Sequence, residues 1–226
     1  MKEKIILTGS EGLLGKNIYD ELSKDYIIEK VDLKLGHDLT NEKEVEKIFK
    51  DLGPSYGLIN LFSINPQPDN SSMTLEEISL DSLRSYMEIN IIALFNVCRV
   101  FSKYCKNEAS IINFSSIYGI NSPKHFIYKK GFEKHIGYSI SKAGVIGMSK
   151  YLATYYAPRI RVNTIIPGGI NNNQSSDFQK EYSKMTPYKR LAEPNEIISA
   201  VKYLLSKDSS YTTGSSVIID GGWTSW

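Results

Sequence analysis

The chain has 226 residues, 41% hydrophobic and 23% charged, with a formal net charge of +2. This length fits one domain with room for a core, and the charge is too small to indicate nucleic acid. Cys98 and Cys105 are too few for a disulfide framework or a metal knuckle, which agrees with a reducing cytoplasm. No apolar run approaches the roughly 18 residues of a membrane span, and residues 1–8 enter a strand-like run with no signal-peptide pattern.

Lys4–Thr8 is β-rich and leads through Thr8-Gly9-Ser10-Glu11-Gly12-Leu13-Leu14-Gly15 into a helical pattern ending at Leu22. Strand, glycine turn and helix in this order suit a dinucleotide. Gly9 allows the tight turn, Gly12 the approach of a pyrophosphate, and Gly15 close packing of helix on strand. A second strand over Tyr26–Val31 ends at Asp32, where a carboxylate can accept from ribose hydroxyls and repel a 2′-phosphate. That favours NAD(H) over NADP(H), with Lys34 as the nearby residue able to reverse the preference. Asp38 either meets the adenine edge or helps cap the helix predicted over Asn41–Leu52.

Tyr56–Phe62 reads as a third strand, 66–74 as a loop, and Leu75–Leu83 and Tyr86–Lys103 as helices. Asn90 is a weak helix former within the longer one, marking either a kink or an exposed position. Ser110–Phe114 is a buried-type strand ending in Ser115-Ser116-Ile117-Tyr118-Gly119. The segment 120–137 that follows is basic, with Lys124, Lys129, Lys130 and Lys134 against Glu133, and it holds His125 and His135. It reads as solvated surface or an anion-binding loop; metal is disfavoured, since no Cys or Asp stands in ligand spacing.

Tyr138–Tyr156 is a long helical pattern in which Tyr138 and Lys142 share a face. An ammonium there can stabilise a phenolate, as a general acid or base near neutral pH requires. A strand over Arg161–Ile166 ends in Pro167-Gly168-Gly169, and the stretch 171–190 is polar and flexible-looking, with no regular element assigned. Pro194–Leu205 is a helix with proline at its start, and Ser216–Ile219 is the last strand. The alternation predicts an α/β fold with a parallel sheet wound on both faces.

From Lys4 to about Gly222 these residues together resemble the short-chain dehydrogenase/reductase family. The resemblance rests on the glycine turn, Asp32, Asn90, Ser116, Tyr138, Lys142 and Pro167-Gly168. It implies Tyr138 as the acid/base and Lys142 as the residue that lowers its pKa and grips the nicotinamide ribose. Ser116 would hold the substrate oxygen, chosen over Ser115 because it stands three residues before Gly119, and Asn90 would position a water linking Lys142 to solvent. A nicotinamide cofactor would be held by Gly9, Ser10, Gly12, Leu13, Leu14, Gly15, Asp32, Asp38, Leu39, Asn60, Tyr138, Lys142, Pro167, Gly168 and Ile170. No metal is implied.

Departures from the family pattern carry further expectations. The glycine spacing looks like that of the sugar-nucleotide branch. The short Asp32–Asp38 stretch predicts a Rossmann-type sheet of six strands, one fewer than usual. Asn60-Leu61-Phe62-Ser63 replaces the usual Asn-Asn-Ala-Gly, and the Ser116–Tyr138 gap is widened by 120–137. With Pro167–Gln174 and the Gly221–Trp226 tail, that insert resembles reductases of bacterial surface-sugar pathways.

The expected function is NAD(P)-dependent interconversion of a secondary alcohol and a ketone, in one domain spanning residues 1–226. Lids over 120–137 and 170–192 bring excess positive charge, which predicts a small anionic, sugar-type substrate. A homodimer or homotetramer is expected from the family habit of pairing the tyrosine helix, here with Ala143, Val145, Gly147, Met148 and Leu152. The alternatives are a dehydratase or epimerase that retains its nicotinamide, and a non-catalytic dinucleotide-binding protein.

Overall fold

A computed structural model describes residues 2–65, 74–106, 108–128 and 134–226. Most of the loop predicted over 66–74 therefore lies outside the described residues, as do Lys129, Lys130 and Glu133. Six parallel strands form one sheet: β1 (Lys4–Thr8), β2 (Ile27–Val31), β3 (Gly57–Asn60), β4 (Ala109–Phe114), β5 (Ile160–Pro167) and β6 (Ser216–Ile219). Their order is β2-β1-β3-β4-β5-β6. This is the doubly wound Rossmann-type arrangement, and its direction reverses between β1 and β3. Such a switch point opens a crevice at the carboxyl ends of the strands.

Alternation along the strands assigns side chains to two cores. Ile5 and Leu7 of β1 join Ile59, Ile112 and Ile165 against Ile18 and Leu22 of α1 (Leu13–Leu22) and Ile197, Val201 and Leu204 of α7 (Pro194–Leu205). Ile6, Leu58, Ile111 and Val162 face the opposite way. They pack on α2 (Glu42–Leu52), α4 (Leu94–Tyr104) and α5 (Ile136–Tyr156). Phe49 and Phe101 meet edge to face there, with ring centroids 6.4 Å apart. Truncating either to alanine would cost about 3–5 kcal/mol.

Caps explain several boundaries. Asn41 Oδ1 accepts from the amides of Lys43 and Glu44, and Glu42 and Glu44 favour the positive end of α2. Glu193 and Glu196 form a capping box at α7, with Pro194 in the first turn.

Two expectations are corrected. The helices predicted over Leu75–Leu83 and Tyr86–Lys103 are one helical run from Leu80 to Tyr104: α3 (Leu80–Met87), a π-helical stretch (Glu88–Ala93), then α4. Ser79 Oγ accepts from the Ser82 amide and starts it late. The stretch 171–190 is not irregular, because α6 (Ser176–Met185) forms there, capped by Ser175. Its Tyr182 is buried against Trp223, with centroids 4.4 Å apart, so a C-terminal aromatic supplies the core that the local pattern lacked. No helix among the described residues is long and apolar enough to cross a membrane.

Candidate active site

A cavity of about 700 Å³ runs along the carboxyl ends of the strands, from the glycine turn to an aromatic wall of Tyr118, Tyr128, Phe178 and Tyr182. At its first end, Gly9 has φ +71 and its Cα faces the chain at Phe62, so an added Cβ would stand 2.5 Å from the Phe62 nitrogen. A Cβ on Gly15 would stand 2.3 Å from the Gly9 carbonyl oxygen, whereas one on Gly12 would meet only that oxygen, at 3.3 Å. Gly12 caps α1 without a side-chain hydrogen bond and no acid lies in the first turn. The leading amides therefore remain available to an anion. Ser10 Oγ is buried with no partner. A glycine cradle, an uncapped helix start and an orphaned hydroxyl fit a dinucleotide's phosphates. Gly9, Gly12, Leu13, Leu14 and Gly15 would hold them, with Pro167, Gly168 and Ile170 bordering the same cavity.

Asp32 stands beside this turn. Its Oδ2 accepts from the Glu11 amide and its Oδ1 from the Lys34 amide, each at 2.9 Å. Asp38 Oδ1 takes the Thr40 amide and hydroxyl at 2.9 and 2.7 Å, which holds its carboxyl below the ordinary range. The Asp38 carboxylate thus makes a local turn next to α2. Leu39 is buried in the core with Val31 and Val45. Asn60 is buried too, accepting from Thr8 Oγ1 at 3.0 Å and donating to Asn113 Oδ1 at 2.8 Å. Ser10, Asp32, Asp38, Leu39 and Asn60 are absent from the cavity lining.

That asparagine pair belongs to a polar chain the sequence reading missed. Asn113 Nδ2 donates to Ser149 Oγ of α5 at 2.9 Å, and Ser149 donates to the Val145 carbonyl at 2.7 Å. Polar residues at the buried ends of successive strands, Thr8, Asn60 and Asn113, were the available signal. They tie β1, β3 and β4 to the helix bearing Tyr138 and Lys142.

Asn90 is buried in the π-helical stretch, so the exposed reading is corrected. Its Oδ1 accepts from the Ile64 amide at 2.8 Å, and its Nδ2 donates to the Ile64 carbonyl at 3.1 Å and to Ser141 Oγ at 3.0 Å. One carboxamide thereby joins the loop after β3 to α5. A π turn aims such a side chain inward, and these turns often mark functional sites.

Tyr138, Ser116 and Lys142 converge where β4 meets α5. Of the adjacent serines, Ser115 donates to the Lys142 carbonyl at 2.7 Å, while Ser116 lines the cavity with Tyr138, its Oγ accepting from the Tyr118 amide at 3.2 Å. A Cβ on Gly119 would lie 2.7 Å from both Ser115 Oγ and the Lys142 carbonyl carbon, which explains the glycine after the serines. Lys142 is buried, and its Nζ donates to the Phe114 carbonyl at 3.0 Å and stands 5.8 Å from the Tyr138 ring centroid.

Electrostatics here differ from the sequence expectation. Burial pushes the Tyr138 phenol up, opposed by the Ser116 hydrogen bond, and burial pulls Lys142 down to about 8. The ammonium is spent on a carbonyl and is itself desolvated, so in this state burial outweighs its pull on the phenol.

A pH dependence follows from the sign of the Lys142 shift. Between about pH 8 and the unfolded value of 10.5, the unfolded chain holds a proton that the folded chain has released. Stability of the cofactor-free protein should therefore rise with pH from about 8. Above about 10 the raised tyrosines, Tyr86 and Tyr138 among them, reverse the trend. The rise should be on the order of 1–3 kcal/mol, read from urea midpoints at pH 7, 8.5 and 9.5. Lys142→Met should remove roughly half of it, because Lys134 is likewise pulled down to about 8 and supplies the remainder; an unchanged slope in that variant would contradict the assignment.

The basic insert is not simply solvated surface. His135 is buried and caps α5: its Nδ1 accepts from the Gly137 amide at 2.9 Å, so Nε2 carries the proton toward Ser82 Oγ, also at 2.9 Å. Its ring stacks on Tyr86 with centroids 4.6 Å apart. Lys134 borders the cavity with its Nζ 4.8 Å from the Tyr138 ring centroid. The other lid cations mostly find partners elsewhere. Arg190 makes a two-point pair with Glu196, Lys184 pairs with Glu181, and Lys189 lies over Trp226.

A family model described as enoyl-(acyl carrier protein) reductase matches residues 4–224. The chain belongs to the short-chain dehydrogenase/reductase family of nicotinamide-dependent oxidoreductases. It is 30% identical over 204 residues to an NADH-dependent L-xylulose reductase of Ambrosiozyma monospora, covering 84% of this chain and 72% of the relative. A short-chain dehydrogenase from Leptospira borgpetersenii, solved with bound NAD+, is 31% identical with a TM-score of 0.85 over 99% of this chain and 93% of that one. The post-translational flagellin modification protein A of Campylobacter coli is 28% identical over 210 residues, 90% of this chain and 81% of its own.

Proposed function

We propose that this protein interconverts a secondary alcohol and a ketone on a small, anionic, sugar-type substrate. The observation that carries this reading is the Tyr138 phenol, beside Ser116 and buried Lys142, in one cavity with the glycine cradle. When bound, the nicotinamide supplies the acceptor or donor of hydride. Ser116 holds the substrate oxygen, and Tyr138 gives a proton to that oxygen in reduction or takes one from it in oxidation. Lys142 neutralises the phenolate as it forms, and Asn90, anchored on Ile64 and Ser141, holds a water leading from Lys142 to solvent. The phenol is protonated at neutral pH, which suits reduction.

NAD(H) is the favoured coenzyme in this reading, since the Asp32 carboxylate beside the turn would oppose a 2′-phosphate. The L-xylulose reductase likeness supports a polyol or ketose framework, and the flagellin-modification likeness supports a role in bacterial surface-sugar synthesis. We read residues 120–137 and 170–192 as substrate lids of one cytoplasmic domain. Of the helix residues considered for assembly, Val145 and Leu152 belong to the core and Met148 packs against it; Ile140, Tyr151 and Tyr155, outside that set, are exposed on α5 and suit pairing into a dimer or tetramer.

The test is absorbance at 340 nm with NADH and NADPH against ketoses, keto-sugar acids and sugar phosphates, and with the oxidised coenzymes against the matching alcohols. Reduction should proceed at pH 7, and oxidation should accelerate as pH rises through 8 to 10. Tight cofactor retention with substrate conversion but no absorbance change would replace this reading with a dehydratase or epimerase.

A further inference from the structure

The geometry points to Lys134 as the seat for the substrate's anionic group, placing a carboxylate or phosphate close to the carbon that reacts at Tyr138. This deepens the oxidoreductase reading and rests on it. Lys134 stands four residues before Tyr138, as Lys142 stands four after, and its Nζ is the nearer of the two to the ring, at 4.8 against 5.8 Å. The two lysines have different surroundings. Lys142 is satisfied by the Phe114 carbonyl. Lys134 has the ring face, and among the described residues no carboxylate lies within ion-pair distance of it.

Among the described residues, the lining of the main cavity contains two lysines and no acid. A second cavity of about 480 Å³, bordered by Lys134, Ile120, Pro123 and Ser139, has no acid among its described lining residues either. Desolvation already pulls Lys134 down to about 8, which leaves it charged at neutral pH, with no counter-ion among the described residues. A cation kept in a part-buried, aromatic-walled site is costly unless a ligand pairs with it. Low local polarity also makes such a pair stronger than at the surface. Because Nζ lies over the phenol ring, an anion bound there belongs to the same molecule whose oxygen meets Ser116 and Tyr138. The anionic group must therefore lie within a few bonds of the carbinol carbon.

The test uses the full chain saturated with NADH. Aldonates, sugar phosphates and the corresponding neutral alditols are titrated while NADH fluorescence is followed, and their keto forms are then assayed for turnover. The wild type should bind at least one acid or phosphate roughly tenfold or more tighter than its neutral partner. Lys134→Gln should remove that difference through KM with kcat little changed, leave neutral compounds within about threefold, and melt no lower than the wild type; Lys134→Arg should restore part of it. The better of the carboxylate and phosphate sets identifies the group.

Equal wild-type binding of charged and neutral compounds, or no binding of any acid, overturns the assignment even where neutral ketones are turned over. An equal loss for both classes in Lys134→Gln also overturns it, since the lysine would then be acting on Tyr138 alone. Acid binding that depends on Lys134 without turnover keeps the seat and overturns the oxidoreductase reading.

Discussion

Tyr138→Phe is expected to lower kcat by roughly 10²–10⁴-fold while leaving coenzyme affinity within a few-fold. The substitution removes one hydroxyl from a ring that stays packed among Ile127, Tyr182 and their neighbours, so the fold should not register it. What it removes is the proton donor of the Ser116–Tyr138 pair. A ketone reduced without that proton would leave an alkoxide in a cavity whose walls are largely apolar, and the cost would appear in the barrier rather than in binding. Parallel kcat, coenzyme titration and melting measurements check the claim. Retained turnover in Tyr138→Phe would transfer the acid/base role elsewhere and would remove the single observation on which the proposed function rests. Ser116→Ala gives a smaller version of the same experiment, because the phenol remains.

The second large effect separates two glycines of one turn. Gly15→Ala would drive a methyl group to 2.3 Å from the Gly9 carbonyl oxygen and 2.7 Å from Ser10 backbone atoms. Backbone cannot yield as a side chain does. The variant should lose about 1–3 kcal/mol or more of stability, and coenzyme binding should fall with it, since α1 must lift away from the turn. Gly12→Ala meets only the Gly9 oxygen, at 3.3 Å, so its stability should stay within about 0.5–1 kcal/mol of the wild type. Its coenzyme affinity should nonetheless fall at least tenfold, because the new methyl stands where a phosphate must approach the amides. Melting temperature and coenzyme titration of both variants read the two predictions together. Equal coenzyme affinity in Gly12→Ala and the wild type would remove the phosphate from this turn.

Most of the frame was legible because its signals are local. A buried parallel strand is a short apolar run, and all six runs were found within two residues of their observed ends. Prolines and caps punctuate α2 and α7 in the same local way. The glycine turn was readable because Gly12 and Gly15 answer contacts made within eight residues, with Gly9 and Ser10, although Gly9 itself also meets the distant Phe62 backbone. The errors fell where partners lie far along the chain. Asn90 is indistinguishable from an exposed asparagine until Ile64 and Ser141 are brought to it across gaps of 26 and 51 residues. Helix α6 has little apolar pattern of its own and depends on Trp223, some forty positions later, to bury Tyr182. His135 looked like part of a basic surface because Ser82 and Tyr86, its partners, belong to another helix.

By itself the sequence determined the alternating α/β architecture, the dinucleotide turn and the i, i+4 pairing of Tyr138 with Lys142, since each rests on short-range periodicity and steric demand. Tertiary structure decided the ionisation of that pair: burial holds the proton on the phenol and weakens the lysine, a balance set by which atoms of distant strands exclude water. It also decided the fate of the lid charges. Arg190 goes to Glu196 and Lys184 to Glu181, while Lys134 turns onto the Tyr138 ring. A count of lysines cannot distinguish these, because a charge acts through its distance and its dielectric surroundings, and both are properties of the folded chain.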